Sequence, residues 1–200
     1  IIDRNNGIVL RSPNIYKLTG VNLKKELTNR YKTLAIVEND ANAAAFGEKN
    51  SGSGRNFSNF VLLTLGTGIG GGIVINNKLL PVASELGHMS INAEGHPCSC
   101  GNIGCLESYA SANAIIGTAI SYIEKGKESI LKNLYSGNIY KITAEDIYKS
   151  ALEGDSLART VLREAGRSLG IGIANVINIL SPDAIILAGG LIGAWNIYID

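Results

Sequence analysis

The chain has 200 residues, of which 46% are hydrophobic and 18% are charged, and its formal net charge is +1. This balance excludes a strongly basic nucleic-acid surface and an acidic tail, and it favours small neutral substrates over polyanions. No run approaches the roughly 18 apolar residues of a membrane span, and the first residues lack the basic and apolar regions of a secretory signal. We therefore expect a cytoplasmic globular protein with no membrane partner.

The N-terminal part predicts a hairpin, a helix and a strand. Asn5-Asn6-Gly7 is a turn signal between two short apolar stretches. Residues 23–31 have the pattern of a helix, and residues 34–37 form a short apolar run typical of a strand. Because the chain begins without methionine and already within a hairpin, we interpret it as an internal piece of a longer protein.

Asp40 is the catalytic candidate. It follows the predicted strand of residues 34–37 and precedes a run of small residues typical of a helix. Open α/β sheets bind their ligands at the ends of such strands. The alternative is that Asp40 only caps the helix, since Asp and Asn are favoured at that position.

Residues 60–65 predict a strand that runs into a glycine-rich loop, residues 66–72. Glycines let backbone N–H groups converge on an anion, and a threonine hydroxyl can join them. A dinucleotide-binding site is a poor match, because residues 73–80 predict a hairpin with a turn at Asn76-Asn77 instead of a helix. The predicted phosphate-binding residues are Gly66, Thr67, Gly68, Gly70 and Gly71. The alternative is that these glycines serve only a tight turn.

Residues 85–107 contain both histidines and all three cysteines of the chain. Cys98, Cys100 and Cys105 supply thiolates, and with one imidazole they complete the four ligands of tetrahedral zinc. A disulfide is a weaker interpretation, because the number of cysteines is odd. Spacing alone slightly favours His96 as the fourth ligand over the more distant His88. With four protein ligands the zinc would be structural, since no position stays open for a substrate.

Helices are predicted over residues 108–123 and 143–152, the second with a capping signal at its start. A longer helix begins near Leu157 and becomes apolar on most sides, as in a helix buried between layers. Residues 184–187 then predict a strand that ends in the turn Ala188-Gly189-Gly190.

Four motifs in this order resemble the ROK family of sugar kinases and repressors. They are VENDANAAAFGE at 37–48, LTLGTGIGGGIVINNKLL at 63–80, E-x-G-H with C-x-C-G-x-x-G-C-x-E within 85–107, and ILAGGLIG at 186–193. The resemblance implies an α/β fold of the actin-like and hexokinase (ribonuclease H-like) type, in which two lobes enclose a cleft. It assigns residues 1–45 to a remnant of the N-terminal lobe and residues 46–200 to the C-terminal lobe.

The resemblance also implies roles for individual residues. Asp40 would be the general base that accepts the proton of a sugar hydroxyl, and the glycine loop would hold the phosphates of ATP with Mg²⁺. His88, rather than His96, would be the zinc ligand. The implied sugar-binding residues are Asn39, Glu85, His88 and Glu107, and the implied adenosine-side residues are Gly189 and Gly190.

Two classes of function follow from the resemblance. The first is an ATP-dependent hexose kinase acting on the 6-hydroxyl of glucose before mannose or N-acetylated sugars, with N-acetylmannosamine kinase and fructokinase as related alternatives. The second is a sugar-responsive repressor with a DNA-binding domain upstream. The family's N-terminal D-x-G-G-T phosphate loop and its closing helices are not in this chain, so activity is expected of the longer protein. The resemblance also implies a homodimer or higher homo-oligomer.

Overall fold

A four-stranded sheet forms the centre of the computed structural model, which describes residues 2–12 and 15–198. Strands β3 (Phe60–Leu65) and β4 (Ile69–Ile75) pair antiparallel, and β5 (Lys78–Leu79) continues the hairpin. Strand β6 (Ala184–Ala188) runs parallel to β3 with Phe60 opposite Ala184. Asn76 and Asn77 have φ values of 50° and 64°, as in a type I′ turn. The predicted hairpin and final strand are confirmed.

The glycine-rich loop is shorter than predicted, because β4 already begins at Ile69. Helix α2 (Asp40–Ser51) packs directly on this strand. A Cβ atom on Gly72 would lie 2.5 Å from Ala45 Cβ and 2.8 Å from the Ala41 carbonyl oxygen. Gly72 therefore serves the close approach of helix and sheet, and only residues 66–68 form the turn itself.

Helices cover the opposite face of the sheet. They are α3 (Glu107–Ala110), α4 (Ala112–Glu124), α5 (Ala144–Leu152), α6 (Ser156–Leu180) and α7 (Trp195–Tyr198). Their buried side chains join those of β3 and β4 in one core. No helix in the described part of the chain is long and apolar enough to cross a membrane.

The single helix predicted over residues 108–123 is two helices. Ser111 lies between α3 and α4 in an extended conformation, and its hydroxyl accepts a hydrogen bond from the Ala114 N–H group at 3.2 Å. Serine is a favoured residue at the N-terminal cap of a helix, so a new helix begins after Ser111. The capping signal of α5 is confirmed, since Thr143 and Asp146 form a reciprocal capping box. The second half of α6 is less buried than predicted. Ile179, for example, is 74% exposed.

The N-terminal part contains the predicted hairpin, formed by β1 (Ile2–Asp3) and β2 (Ile8–Val9), and helix α1 (Leu23–Tyr31). The strand predicted over residues 34–37 is wrong. Leu34 and Ile36 are 76% and 78% exposed, and the segment has no pairing strand among the described residues. The suggested division between residues 45 and 46 falls inside α2, and the division into lobes stays a prediction.

Candidate functional site

One imidazole and three thiols converge in the segment after β5. Their ligand atoms all lie within 4.8 Å of one another. His88 Nδ1 is 3.5 Å from Cys98 Sγ, and the Sγ atoms of Cys100 and Cys105 are 3.7 Å apart. Ligands around a tetrahedral Zn²⁺ with Zn–S bonds of about 2.3 Å are separated by roughly 3.8 Å. The donor set and its spacing therefore fit zinc.

Two glycines let the backbone fold around this cluster. Gly101 and Gly104 have φ values of 93° and 74°, which side chains other than glycine rarely adopt. A Cβ atom on Gly104 would also collide with the carbonyl oxygen of Asn92. The Cys98 N–H group donates to the Asn102 carbonyl at 2.8 Å and closes the turn between the first two thiols.

His96 lies outside the cluster, although spacing alone slightly favoured it. Its ring packs against Tyr109 with 4.9 Å between ring centroids, and its backbone N–H donates to the Tyr109 hydroxyl at 2.8 Å. His88 reaches the thiols because Ser90 pairs with Cys105 in an antiparallel bridge that folds the chain back. The spacing between the histidines and the cysteines along the chain therefore favoured the wrong histidine.

The thiols of the cluster differ in acidity. Burial raises the pKa of Cys98, but hydrogen bonds from the backbone and side chain of Cys100 and from Ser108 outweigh it and lower the pKa to about 6. Burial, reinforced by hydrogen bonds with the other two thiols, raises the pKa of Cys105 to about 12. Because a thiol binds metal as the thiolate, a bound cation would stabilise the ionised form of the buried Cys105.

Asp40 and Glu107 line a cavity of about 350 Å³. The turn of residues 66–68 and Gly189 line the same cavity, as does Gly70 at the start of β4. The N–H groups of Thr67 and Gly68 donate to no atom of the described residues, so they can donate to an anion. Thr64, which sequence reasoning missed, also lines the cavity. It is the one polar residue of β3, and that could have marked it.

Glu107 fixes the glycine turn. Its Oε2 atom accepts a hydrogen bond from the Ile69 N–H group at 2.7 Å. Gly68 packs so tightly on this carboxylate that a Cβ atom there would collide with it. Glu107 is the first residue of α3, directly after Cys105 and Leu106, so the cysteine cluster positions the carboxylate that holds the turn.

Asp40 is the exposed first residue of α2, and its Oδ1 atom accepts a hydrogen bond from the Ala41 N–H group at 2.9 Å. The cap of this helix is Asn39, whose Oδ1 accepts from the Asn42 N–H group at 3.1 Å. Helix capping therefore explains the presence of Asn39. It does not explain the second carboxylate oxygen of Asp40, which takes no part in the cap. With its Oδ1 engaged, Asn39 can offer its amide Nδ2 group to a ligand.

An ion pair joins the N-terminal hairpin to the residues before Asp40. Glu38 accepts a hydrogen bond from Arg4 Nε at 2.6 Å and another from the buried Asn42 Nδ2 at 3.1 Å. The same Nδ2 group donates to the Val82 carbonyl at 3.0 Å. Burial raises the pKa of Glu38, but the Arg4 and Asn42 hydrogen bonds outweigh it, so the pKa lies below its ordinary value.

The other predicted sugar-binding residues are not part of this cavity. Asn39, Glu85 and His88 do not line it, and Glu85 is an exposed residue whose carbonyl accepts from the His88 N–H group at 3.0 Å. Gly71 packs against Leu86 within β4.

A neighbouring cavity of about 430 Å³ shares Gly66 and Thr67 with the first and is lined by Gly190. Its walls are largely apolar, with Ile116, Leu162 and Leu191, and Tyr148 adds a ring. Sequence reasoning missed these walls, because they come from α4, α5, α6 and the short helical turn Gly190–Ala194, which are far apart in the chain.

The chain belongs to the ROK family, whose model matches residues 1–199. It is 39% identical over 200 residues to a glucokinase of Thermotoga maritima, which covers 98% of this chain and 63% of the relative. It is 36% identical over 191 residues to a xylose repressor of Caldicellulosiruptor bescii, which covers 94% of this chain and 47% of the relative. The chain thus spans about half to two thirds of these proteins.

Among solved structures, a ROK family glucokinase from Streptomyces griseus in complex with glucose and AMPPNP matches with a TM-score of 0.83 and 37% identity. The match covers 96% of this chain and 64% of that structure. The mixed α/β architecture is the actin-like ATPase fold of ROK hexokinases and glucokinases, as the sequence predicted.

Proposed function

We propose that the longer protein is an ATP-dependent hexose kinase that transfers the terminal phosphate of ATP to the 6-hydroxyl of glucose. The observation that carries the proposal is the cavity in which Asp40, Glu107 and the turn of residues 66–68 meet. It places a carboxylate that can accept a proton beside backbone donors that can bind phosphate. The similarity to glucokinases of Thermotoga maritima and Streptomyces griseus supports glucose as the substrate.

Phosphoryl transfer requires mainly positioning and charge stabilisation from the protein. The free N–H groups of Thr67 and Gly68 would hold phosphate oxygens, and Mg²⁺ bound with ATP would neutralise charge on the transferred group. The apolar cavity beside Gly66 and Thr67 would receive the nucleoside, in line with the role proposed for Gly189 and Gly190. Asp40 would orient the sugar hydroxyl and accept its proton.

The cysteine cluster would hold a structural zinc ion through His88, Cys98, Cys100 and Cys105. His88 points Nδ1 at Cys98, so its Nε2 atom stays available to a sugar hydroxyl. Glu85, Asn39 and Glu107 would supply the remaining sugar contacts. This sugar-binding set rests on the resemblance to the family, because the described cavity contains only Glu107 from it.

The second candidate function is a sugar-responsive repressor, which the similarity to the xylose repressor of Caldicellulosiruptor bescii favours. A panel of glucose, mannose, N-acetylmannosamine and fructose, assayed with ATP and Mg²⁺ on the full-length protein, tests the choice. We expect turnover to be highest with glucose. No turnover with any sugar, together with sugar-dependent release from DNA, would replace the kinase by the repressor.

A further inference from the structure

A third, larger cavity lies between α4 and α6, away from Asp40. Its volume is about 660 Å³, which falls within the range of roughly 300–1,000 Å³ typical of small-molecule sites. The buried side chains of Val161 and Ala165 contribute to its apolar wall, and Gly117 leaves open space beside α4. None of the residues that line it belongs to the cavity of Asp40.

The polar lining of this cavity combines hydroxyl groups with positive charge. Thr118, Ser121 and Ser168 supply hydroxyls that can both donate and accept hydrogen bonds. Lys125 and Arg167 bring two positive charges, whereas Glu164 is the one carboxylate in the lining.

The Tyr122 hydroxyl donates to the two carboxylate oxygens of Glu164 at 2.9 and 2.8 Å, which partly satisfies this acid. Such a lining suits a molecule with several hydroxyls and a negative charge.

A short helix connects this cavity to the cavity lined by Asp40 and Glu107, which we call the cleft. Ser108 and Tyr109 line the cavity, and they directly follow Glu107, which lines the cleft and holds the Ile69 N–H group. The Tyr109 hydroxyl also accepts a hydrogen bond from the backbone N–H group of His96 in the cysteine segment. A ligand that moved Tyr109 would therefore shift the four-residue helix that positions Glu107.

We propose that this cavity is a second ligand site for a hexose phosphate, and that its occupancy changes the affinity of the cleft for sugar. The binding part is independent of the proposed kinase activity, whereas the coupling part rests on the proposed sugar site. Hexose phosphate combines the hydroxyls and the negative charge that the lining recognises. Inorganic phosphate shares only the charge, so we expect it to bind at least about tenfold more weakly, since most hydrogen-bonding hydroxyls are lost.

Isothermal titration of glucose 6-phosphate into the full-length protein tests the proposal. Saturating glucose is present, so that the cleft is not available to the probe. Gly117→Leu should weaken binding at least about tenfold, because the new side chain enters the cavity and its Cβ atom meets no other atom within 4 Å. Arg167→Gln should weaken it about tenfold through the loss of a charged donor.

Two matched variants serve as controls. Gly170→Leu makes the same change at a helical glycine of α6 that lies outside the cavity and is also open, and Arg163→Gln removes an exposed cation one turn from Arg167. Both should bind the probe within about twofold of the wild-type protein, since neither residue touches the site. Glucose titrations with and without glucose 6-phosphate then measure the coupling, which must be equal in both directions.

Three results would overturn the proposal. The first is the absence of saturable binding under saturating glucose, and the second is binding that all four variants leave unchanged. The third is equal affinity for inorganic phosphate, which would reduce the cavity to a simple anion site. If sedimentation showed that Gly117→Leu separates an oligomer while no probe binds, the cavity would be a contact between copies of the chain. A protein without kinase activity that still binds the probe here would retain the site and lose only the proposed function.

Discussion

The β3–β4 hairpin and the segment of residues 85–107 both supply groups to the cleft, but different forces hold them. Phe60, Leu62 and Val74 are fully buried, and the hairpin has a continuous ladder of backbone hydrogen bonds. The cysteine segment is largely exposed between its ends and has two isolated bridges, Ser90–Cys105 and Pro97–Ile103. Burial thus stabilises the hairpin, whereas scattered backbone hydrogen bonds and the side-chain cluster hold the segment.

The largest effect should follow from breaking the cysteine cluster. Structural zinc contributes an apparent binding free energy of about 10–16 kcal/mol in small zinc-finger domains, so loss of one ligand should strongly reduce occupancy. We expect wild-type protein to contain one zinc per chain and His88→Ala to contain almost none. Elemental analysis after dialysis checks this. The matched control His96→Ala should keep its zinc, and loss of zinc from this control alone would contradict the ligand assignment.

A smaller effect should follow from crowding the hairpin. Gly72→Ala would place a Cβ atom 2.5 Å from Ala45 Cβ, and overpacking of this kind costs about 1–3 kcal/mol. Urea unfolding measures the free energy. Gly170→Ala is the control, because its Cβ atom would meet nothing within 4 Å in a helix, where alanine is favoured by up to about 1 kcal/mol. Equal stability of the two variants would show that helix α2 does not press on this strand.

The smallest effect concerns the ion pair of Arg4 and Glu38, which is partly exposed. The pKa of Glu38 is lowered in the folded protein, so its contribution is present above its ordinary pKa of 4.5 and is lost as the pH falls below that value. Arg4→Gln should therefore cost about 1 kcal/mol at pH 7 and less at pH 3. Urea unfolding across this range measures the difference. A cost of Arg4→Gln that grows as the pH falls would contradict the predicted pH dependence.

Local patterns predicted several elements well. Helix α1, strand β3 and the turn at Asn76-Asn77 follow from short-range apolar periodicity and from the conformations that asparagine allows. The cysteine cluster was visible because its ligand types are rare and close in sequence. The choice between His88 and His96 was not visible in the spacing. The Ser90–Cys105 bridge that decides it is a tertiary contact.

Other features depended on packing that no local pattern shows. The glycine run enters β4 because α2 lies against Gly70 and Gly72, and the break at Ser111 places Glu107 on a separate short helix. The cavity between α4 and α6 joins residues more than 40 positions apart, such as Tyr122 and Glu164. Only the family resemblance assigned Asp40 and Glu107 to the same sugar site, because no local pattern relates residues 67 positions apart, and both line one cavity.

Turnover by Asp40→Asn in the full-length protein tests the central claim most directly. Asparagine keeps the shape of the side chain but cannot accept the proton, so we expect kcat with glucose to fall by about 10²–10⁴-fold. Glucose affinity, measured separately by titration, should stay within about threefold, because the loss falls on the chemical step. A kcat within a few-fold of wild type would show that Asp40 is not the general base and would contradict the account.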